Sequence, residues 1–468
     1  MSLFSRFIMY ICFILKMRDS IDFASMSVGR LFRKLFFPTL MGMVFSALFI
    51  ITDGIFVGKG IGSDAMAAVN ITAPIFLVNT GIALMFGIGA SVVASIHLSQ
   101  GKFKVARINI TQSVMASSLI ILTGIVLIWF NYEAVANILG ASERLLPLAV
   151  EYMKWFVPFL IFSAILSSGL FYLRLDGSPN YAMVCNIVAA VMNMFLDYLF
   201  IYRLQWGMFG AALATSLGYV VGAIMVLLYL LDSTHTLYLV RFKTTKKSIQ
   251  LTLRNVVYMC RMGSSTFMCQ LAVATMMFTG NYVFMNYLHE DGVAAFSVAC
   301  YLYPLVLMVY NAIAQSMQPI LSYNYGAGYP ERVRAAFLIS LVTAIVCGIV
   351  VFVLSLFFTP WVVSLFLQEG LPSNMIASEG LSYFASGFVF FGINMVAVGY
   401  FQSVERDMPA MVITILRGLV FIILSFLLLP RVLGVPGIWL AVPVAELLTF
   451  LFVLLMYLRG IERKALAE

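Results

Sequence analysis

The chain has 468 residues, 62% of them hydrophobic and only 10% charged, with a mean hydropathy of +1.01. Soluble domains carry about 25% charged residues, so a water-soluble fold of this length is excluded and the bilayer must be the solvent for most of the chain. The net charge of +8 reads as membrane topology; no nucleic-acid partner is expected.

Residues 1–27 are read as an N-terminal cytoplasmic or interfacial segment. The apolar run over 7–15 is too short to span and lacks a small-x-small cleavage site; Met17 and Met26 are alternative starts. A helix needs roughly 20 apolar residues to cross about 30 Å of hydrocarbon. Such stretches are predicted at 34–57, 66–98, 109–131, 145–173, 180–202 and 207–231, the N-lobe of residues 28–231. A charged cytoplasmic linker follows at 232–254. A C-lobe of residues 255–460 then carries spans at 255–287, 293–322, 335–359, 377–403, 409–430 and 436–458, before a cytoplasmic tail at 461–468. No stretch alternates long enough to suggest a barrel. Pro74, Pro158, Pro304 and Pro443 interrupt spans, where neighbouring helices can satisfy the freed carbonyls.

With the N-terminus inside, 22 of the 28 Lys and Arg residues fall on the inner side. Five (Lys59, Arg144, Lys154, Arg203, Arg431) fall outside, and Arg417 lies within a helix. That asymmetry predicts a multi-pass protein of the cell inner membrane with both termini cytoplasmic. None of the six cysteines forms a Cys-x-x-Cys pair, so neither a disulfide framework nor a zinc site is expected.

The two halves repeat. At an offset of 227, Asp64 meets Asp291, Gly101 meets Gly328, Arg107 meets Arg334 and Gly210 meets Gly437; at 230, Phe171 meets Phe401 and Pro179 meets Pro409. Six spans per unit give both halves the same orientation. The expected fold is therefore all-α and integral to the membrane: twelve transmembrane helices in two six-helix lobes related by a pseudo-twofold along the membrane normal. A cleft between such lobes suits alternating access. No G-x-x-x-x-G-K-[ST] phosphate loop is present, so energy would come from an ion gradient or from the substrate's own gradient.

Ionisable residues at membrane depth are functional hypotheses by default; here they are Asp53, Asp197, Arg417 and Glu446. Asp53 lies 15 residues after Pro38 and Asp197 18 residues after Pro179, so both fall in the outer half of the bilayer at about 1.5 Å per residue. Asn193 shares a helix face with Asp197, and Thr215 enters from the outer side. These four could converge. Two close carboxylates in low dielectric cannot both ionise cheaply, and Asn and Thr oxygens could complete a proton or Na⁺ site at Asp53 and Asp197. The competing reading for Asp53 is a water-facing helix end. Arg417 and Glu446 either pair structurally or place Glu446 in a substrate cavity. The second repeat has no acid at the matching positions: Asp53 meets Gly280, and Asp197 meets Leu424 or Leu427.

Several ordered stretches resemble the multidrug and toxic compound extrusion (MATE) family: Asp53-Gly54-Ile55-Phe56-Val57-Gly58, Asn193-Met194-Phe195-Leu196-Asp197, Gly210-Ala211-Ala212-Leu213-Ala214-Thr215, and Gln315 through Gly328. The resemblance runs from about residue 28 to 460. It implies a secondary antiporter that exports organic, often cationic, drugs or toxic compounds in exchange for H⁺ or Na⁺; the two-lobed unit expected from the repeat could do so by rocker-switch alternating access and as a monomer. It also implies that Asp53, Asn193, Asp197 and Thr215 form the ion-coupling cluster. Some members of that family carry acids in helices seven and ten; here helix seven shows Gln270 and the middle of helix ten no acid, which tilts the expected ion towards H⁺. No cofactor beyond the coupling ion, no firm metal site and no enzymatic activity are expected. The alternative is a flippase for lipid-linked oligosaccharides of the same superfamily, disfavoured because only Arg417 is available to a diphosphate. An integral-membrane transferase is disfavoured because no sizeable loop carries paired acids.

Overall fold

The structure is a computed structural model that describes residues 21–241 and 245–458, and among these every regular element is helical. Residues 1–20 and 459–468, which hold most of the predicted N-terminal segment and tail, lie outside the described residues, as does Cys12.

The first repeat contains α1 (Val28–Gly60), α2 (Ser63–Ser99), α3 (Phe103–Trp129), the short α4 (Tyr132–Ile138), α5 (Leu146–Phe156), α6 (Leu160–Leu175), α7 (Pro179–Asp197) and α8 (Gly207–Leu231). A single 3₁₀ turn, Val157–Phe159, separates α5 from α6 at Pro158, so the two make one interrupted span. The second repeat begins with α9 (Lys246–Gly326), which is two spans meeting at His289, where φ is 54° and ψ −148°. Next come α10 (Pro330–Ser364), then α11 (Pro372–Ala385) and α12 (Phe388–Ser403), a pair bent by 44°. The last elements are α13 (Asp407–Ile415), α14 (Phe421–Leu433), α15 (Val435–Trp439) and α16 (Ala441–Leu458). Ten helices are long and apolar enough to cross a membrane. Dividing α9 at His289 and joining α11 to α12 brings the number of spans among the described residues to twelve.

The helices run further than hydropathy suggests, because amphipathic turns extend past the apolar core. The first begins at Val28 where hydropathy starts it at 34, and the last part of the linker read at 232–254 is already helical from Lys246. The spans predicted at 255–287 and 293–322 have almost no loop between them: the break is confined to His289. The single helix predicted at 377–403 is broken at Ser386 and Gly387; a Cβ on Gly387 would press within 2.7 Å of Pro443 Cα, so α16 crosses at the break.

The chain divides into two compact units, residues 1–263 and 264–468. Hence the first 18 residues of α9, 246–263, pack with the first unit, although the repeat assigns them to the second. In the first unit α1 packs on α7, α7 on α8, α2 on α3 and α6, and α8 also on α5 and α6. Small residues make these crossings close, as expected where lipid offers no hydrophobic drive between helices and packing decides. A Cβ on Gly218 of α8 would lie 3.0 Å from both the Ala189 carbonyl oxygen and Asn193 Cβ of α7. In the second unit α10 packs on α11 and α12, and α16 on α12 and α14. Large apolar side chains face outward, among them Phe357 at 74% and Trp361 at 63% exposure, a surface stable only in lipid.

Candidate functional site

Asp53 sits two turns before the end of α1, where an otherwise apolar helix carries a carboxylate. The α1–α7 and α7–α8 contacts bring it to Asn193 and Asp197 of α7 and Thr215 of α8. Thr215 Oγ1 donates to Asp53 Oδ1 at 2.8 Å and lies 3.1 Å from the Ala211 carbonyl. A hydroxyl has one hydrogen, and the shorter contact to the carboxylate takes it. Asn193 and Asp197 are fully buried, at 0% exposure, and neither side chain makes a hydrogen bond to any described residue. No salt-bridge partner reaches Asp53 or Asp197 among the described residues.

Two carboxylates, one carboxamide and one hydroxyl therefore share a site without a basic side chain, in which Asn193, Asp197 and Thr215 are buried and Asp53 is half-buried. An isolated buried ion costs several kcal/mol even after relaxation. Such a site is discharged by a proton or by a small hard cation, for which carboxylate and carbonyl oxygens are the suitable donors. Only two acids take part, and among the described residues no group of three or more His, Cys, Asp or Glu side chains is arranged to hold a metal ion.

Two residues that the sequence analysis did not single out complete the walls. Tyr152 of α5 and Tyr219 of α8 lie within electrostatic reach of Asp53. Tyr219 packs against Phe49 at 5.2 Å and Phe76 at 5.9 Å between ring centroids, and Tyr152 against Phe156 at 5.3 Å. Tyr219 follows Thr215 by four residues, which puts both on one helix face; that signal was readable. Tyr152, by contrast, lies on the buried stripe Ala149, Tyr152, Met153 and Phe156 of α5, where the periodicity signals packing and not an ion site. Directly after Asp197 the backbone forms a π-helical turn, Tyr198–Arg203, a rare feature that recurs at functional sites.

The ionisable residues of the second unit make a different arrangement. Arg417, in the π-helical turn Leu416–Val420 between α13 and α14, donates from Nε to Glu446 Oε1 at 2.7 Å, with both side chains about 5% exposed. Asn394 of α12 donates from Nδ2 to the other Glu446 oxygen at 2.8 Å and to the Glu446 carbonyl at 2.9 Å. The guanidinium also reaches Met395 Sδ at 2.9 Å and the Tyr303 hydroxyl at 3.4 Å, and it stacks 4.5 Å from the Phe391 ring. Both charges are thus used inside the cluster. Gln270 of α9 is half-buried and joins none of these hydrogen bonds. Asn394 was not singled out in the sequence, although a lone carboxamide inside Phe388–Ala397 is a signal of the same kind as Asn193.

A family model described as MatE matches residues 38–199 and 266–427. The chain is 27% identical over 445 residues to a protein named FAD transporter from Shewanella oneidensis, covering 92% of this chain and 95% of that one. It is 24% identical over 432 residues to the multidrug export protein MepA of Staphylococcus aureus strain MRSA252, covering 90% and 91%. Among solved structures, the outward-facing conformation of a multidrug resistance MATE family transporter of the MOP superfamily superposes with a TM-score of 0.86 at 23% identity, covering 95% of this chain and 97% of that one. A MOP superfamily transporter from Pyrococcus furiosus, described by a reversed polarity of its binding pocket, superposes at 0.86 with 22% identity, covering 97% and 98%.

Proposed function

The chain belongs to the MatE family, and from that premise we propose that it is a secondary antiporter that exports organic compounds in exchange for H⁺ or Na⁺ by alternating access. The observation that carries the proposal is the pair of half-buried Asp53 and fully buried Asp197 beside Asn193, with no salt-bridge partner for either among the described residues. A proton or Na⁺ entering this site discharges it; leaving, it restores a charge that the surroundings do not solvate. Site occupancy therefore changes the free energy of the conformation that buries it, which is what coupling an ion gradient to movement requires. Thr215 holds Asp53 in place, and Tyr152 and Tyr219 line the site. With only two acids in the cluster and Gln270 in place of an acid in the second unit, we take H⁺ as the coupling ion.

The distribution of Lys and Arg supports an inner-membrane protein with both termini cytoplasmic, and each chain, carrying both repeats, works as a monomer without a further cofactor. The substrate class follows two relatives in different directions. MepA is named for multidrug export, which favours bulky organic cations. The protein from Shewanella oneidensis is named for FAD, an anionic dinucleotide, and this favours a second reading in which FAD is exported. Arg417 bears on both readings: its charge is already neutralised by Glu446, so it gives little to a diphosphate. That argues for cations over FAD and against a lipid-diphosphate flippase.

Asp197→Asn removes the ionisable group while keeping shape. Purified in proteoliposomes, this variant is expected to lose gradient-driven efflux while still binding substrate. Efflux that stays coupled to the gradient would remove Asp197 from the mechanism.

A further inference from the structure

At the end of the first unit opposite Asp53, the chain leaves α8 at Leu231 and runs over 232–241 without regular structure. It is strapped to three helices. Leu237 N–H donates to Asp176 Oδ1 at 2.7 Å, and Leu239 N–H to the Leu230 carbonyl at 2.7 Å. Val240 N–H donates to Thr111 Oγ1 at 3.0 Å. Arg107 donates to the Thr236 carbonyl at 2.8 Å and to the Tyr238 hydroxyl at 3.0 Å, with its guanidinium 4.2 Å from the Tyr238 ring.

His235 lies at the centre of this strap. Its ring stacks on Tyr229 with centroids 3.7 Å apart and planes 16° apart. Nδ1 is 3.7 Å from Asp176 Oδ2, and Nε2 is 3.8 Å from Asp232 Oδ2. The imidazole is thus held between a buried acid at the end of α6 and an exposed acid at the end of α8. Tyr229, whose hydroxyl donates to Asp176 Oδ2 at 2.7 Å, covers one face. The groups seen against the ring are these two acids and the phenol of Tyr229, while the guanidinium of Arg107 and the phenol of Tyr238 meet on the neighbouring part of the strap.

We propose that His235 is a pH-sensitive clasp that fastens the connection between the two repeats to the first unit. A neutral imidazole has one N–H and turns a lone pair towards one of the two acids; a protonated ring offers a donor to each. Docking therefore takes up a proton. The clasp is tightest where imidazole is charged and loosens as pH rises through the imidazole range, about 6.5 for an unperturbed ring. Asp232 is suited to its part: the Thr234 backbone N–H, donating at 2.9 Å, holds its carboxyl below the usual range. On the Lys and Arg reading this face is cytoplasmic, so the clasp senses internal pH, whatever the transported substrate.

Amide hydrogen exchange of the full-length protein in nanodiscs tests this, with labelling times scaled for the intrinsic pH dependence. Leu237 and Leu239 amides are expected to be several-fold better protected at pH 6 than at pH 8. His235→Phe, which keeps the stacking on Tyr229, is expected to abolish that difference. Asp232→Asn, at an exposed position, is expected to reduce it without perturbing the fold. Equal protection at both pH values in the unaltered protein, or a difference that survives in His235→Phe, would overturn the clasp.

Discussion

Arg417 and Glu446 show how a charge is tolerated at membrane depth. The guanidinium is satisfied on several sides, by Glu446, Met395, Tyr303 and the Phe391 ring, and the carboxylate by Arg417 and Asn394. Removing one member of a buried pair strands the other, which typically costs 3–5 kcal/mol, while replacing both by apolar groups of similar size is often near neutral. Arg417→Met and Glu446→Gln are each expected to lower the thermal unfolding midpoint in detergent markedly. The double variant should recover most of that loss. A double variant that loses the sum of the two would show that the charges act separately. Asp197 is the reverse case, a buried acid with no hydrogen-bond partner among the described residues. The contrast between the two sites was only partly legible in the sequence. The ionisable residues stood out against an apolar background, and the helix depths of Asp53, Asn193, Asp197 and Thr215 follow from counting at 1.5 Å per residue. Whether Arg417 meets Glu446 depends on the rotation of α13 and α16 about their axes, and the π-helical turn at Leu416–Val420 shifts that rotation where periodicity gives no warning.

At the scale of elements, spans were legible and their breaks were not. Hydropathy locates the twelve apolar segments because a helix crossing lipid must be apolar for about 20 residues. It is blind to a break marked only by small residues that membrane helices also carry, Ser386 and Gly387, which is why α11 and α12 read as one helix, and to a turn made within a single residue, as at His289. The tightest crossing is likewise invisible in composition. A Cβ on Gly89 of α2 would strike the Met259 carbonyl oxygen of α9, and a Cβ on Gly263 of α9 would strike that of Met85 of α2. The two Met-x-x-x-Gly stretches thus lie backbone to backbone, and Asn255 and Thr252 of the same segment hydrogen-bond to Gln112 of α3 at 3.2 and 2.8 Å. This explains why residues 246–263 pack with the first unit. Gly89→Ala is expected to destabilise by about 1–3 kcal/mol, the usual cost of overpacking. Gly124→Ala, where nothing lies within 4 Å of the added methyl, should be neutral or stabilising by up to about 1 kcal/mol through helix propensity. Equal effects of the two, read from unfolding in detergent, would contradict the close crossing.

For the whole molecule, the family match falls on two segments of equal length, the second starting 228 positions after the first, within the offsets of 227 to 230 at which the sequence repeats. The duplicated scaffold carries unlike chemistry: an unpaired acid cluster in the first unit and a neutralised ion pair in the second. We assign ion coupling to the first on that ground. The most direct test is efflux of a fluorescent organic cation from proteoliposomes under an imposed pH gradient or an imposed Na⁺ gradient, with and without Asp53→Asn. The account predicts efflux driven by the pH gradient and abolished in Asp53→Asn. Efflux driven by neither gradient, or a pH-driven flux indifferent to Asp53→Asn, would contradict it.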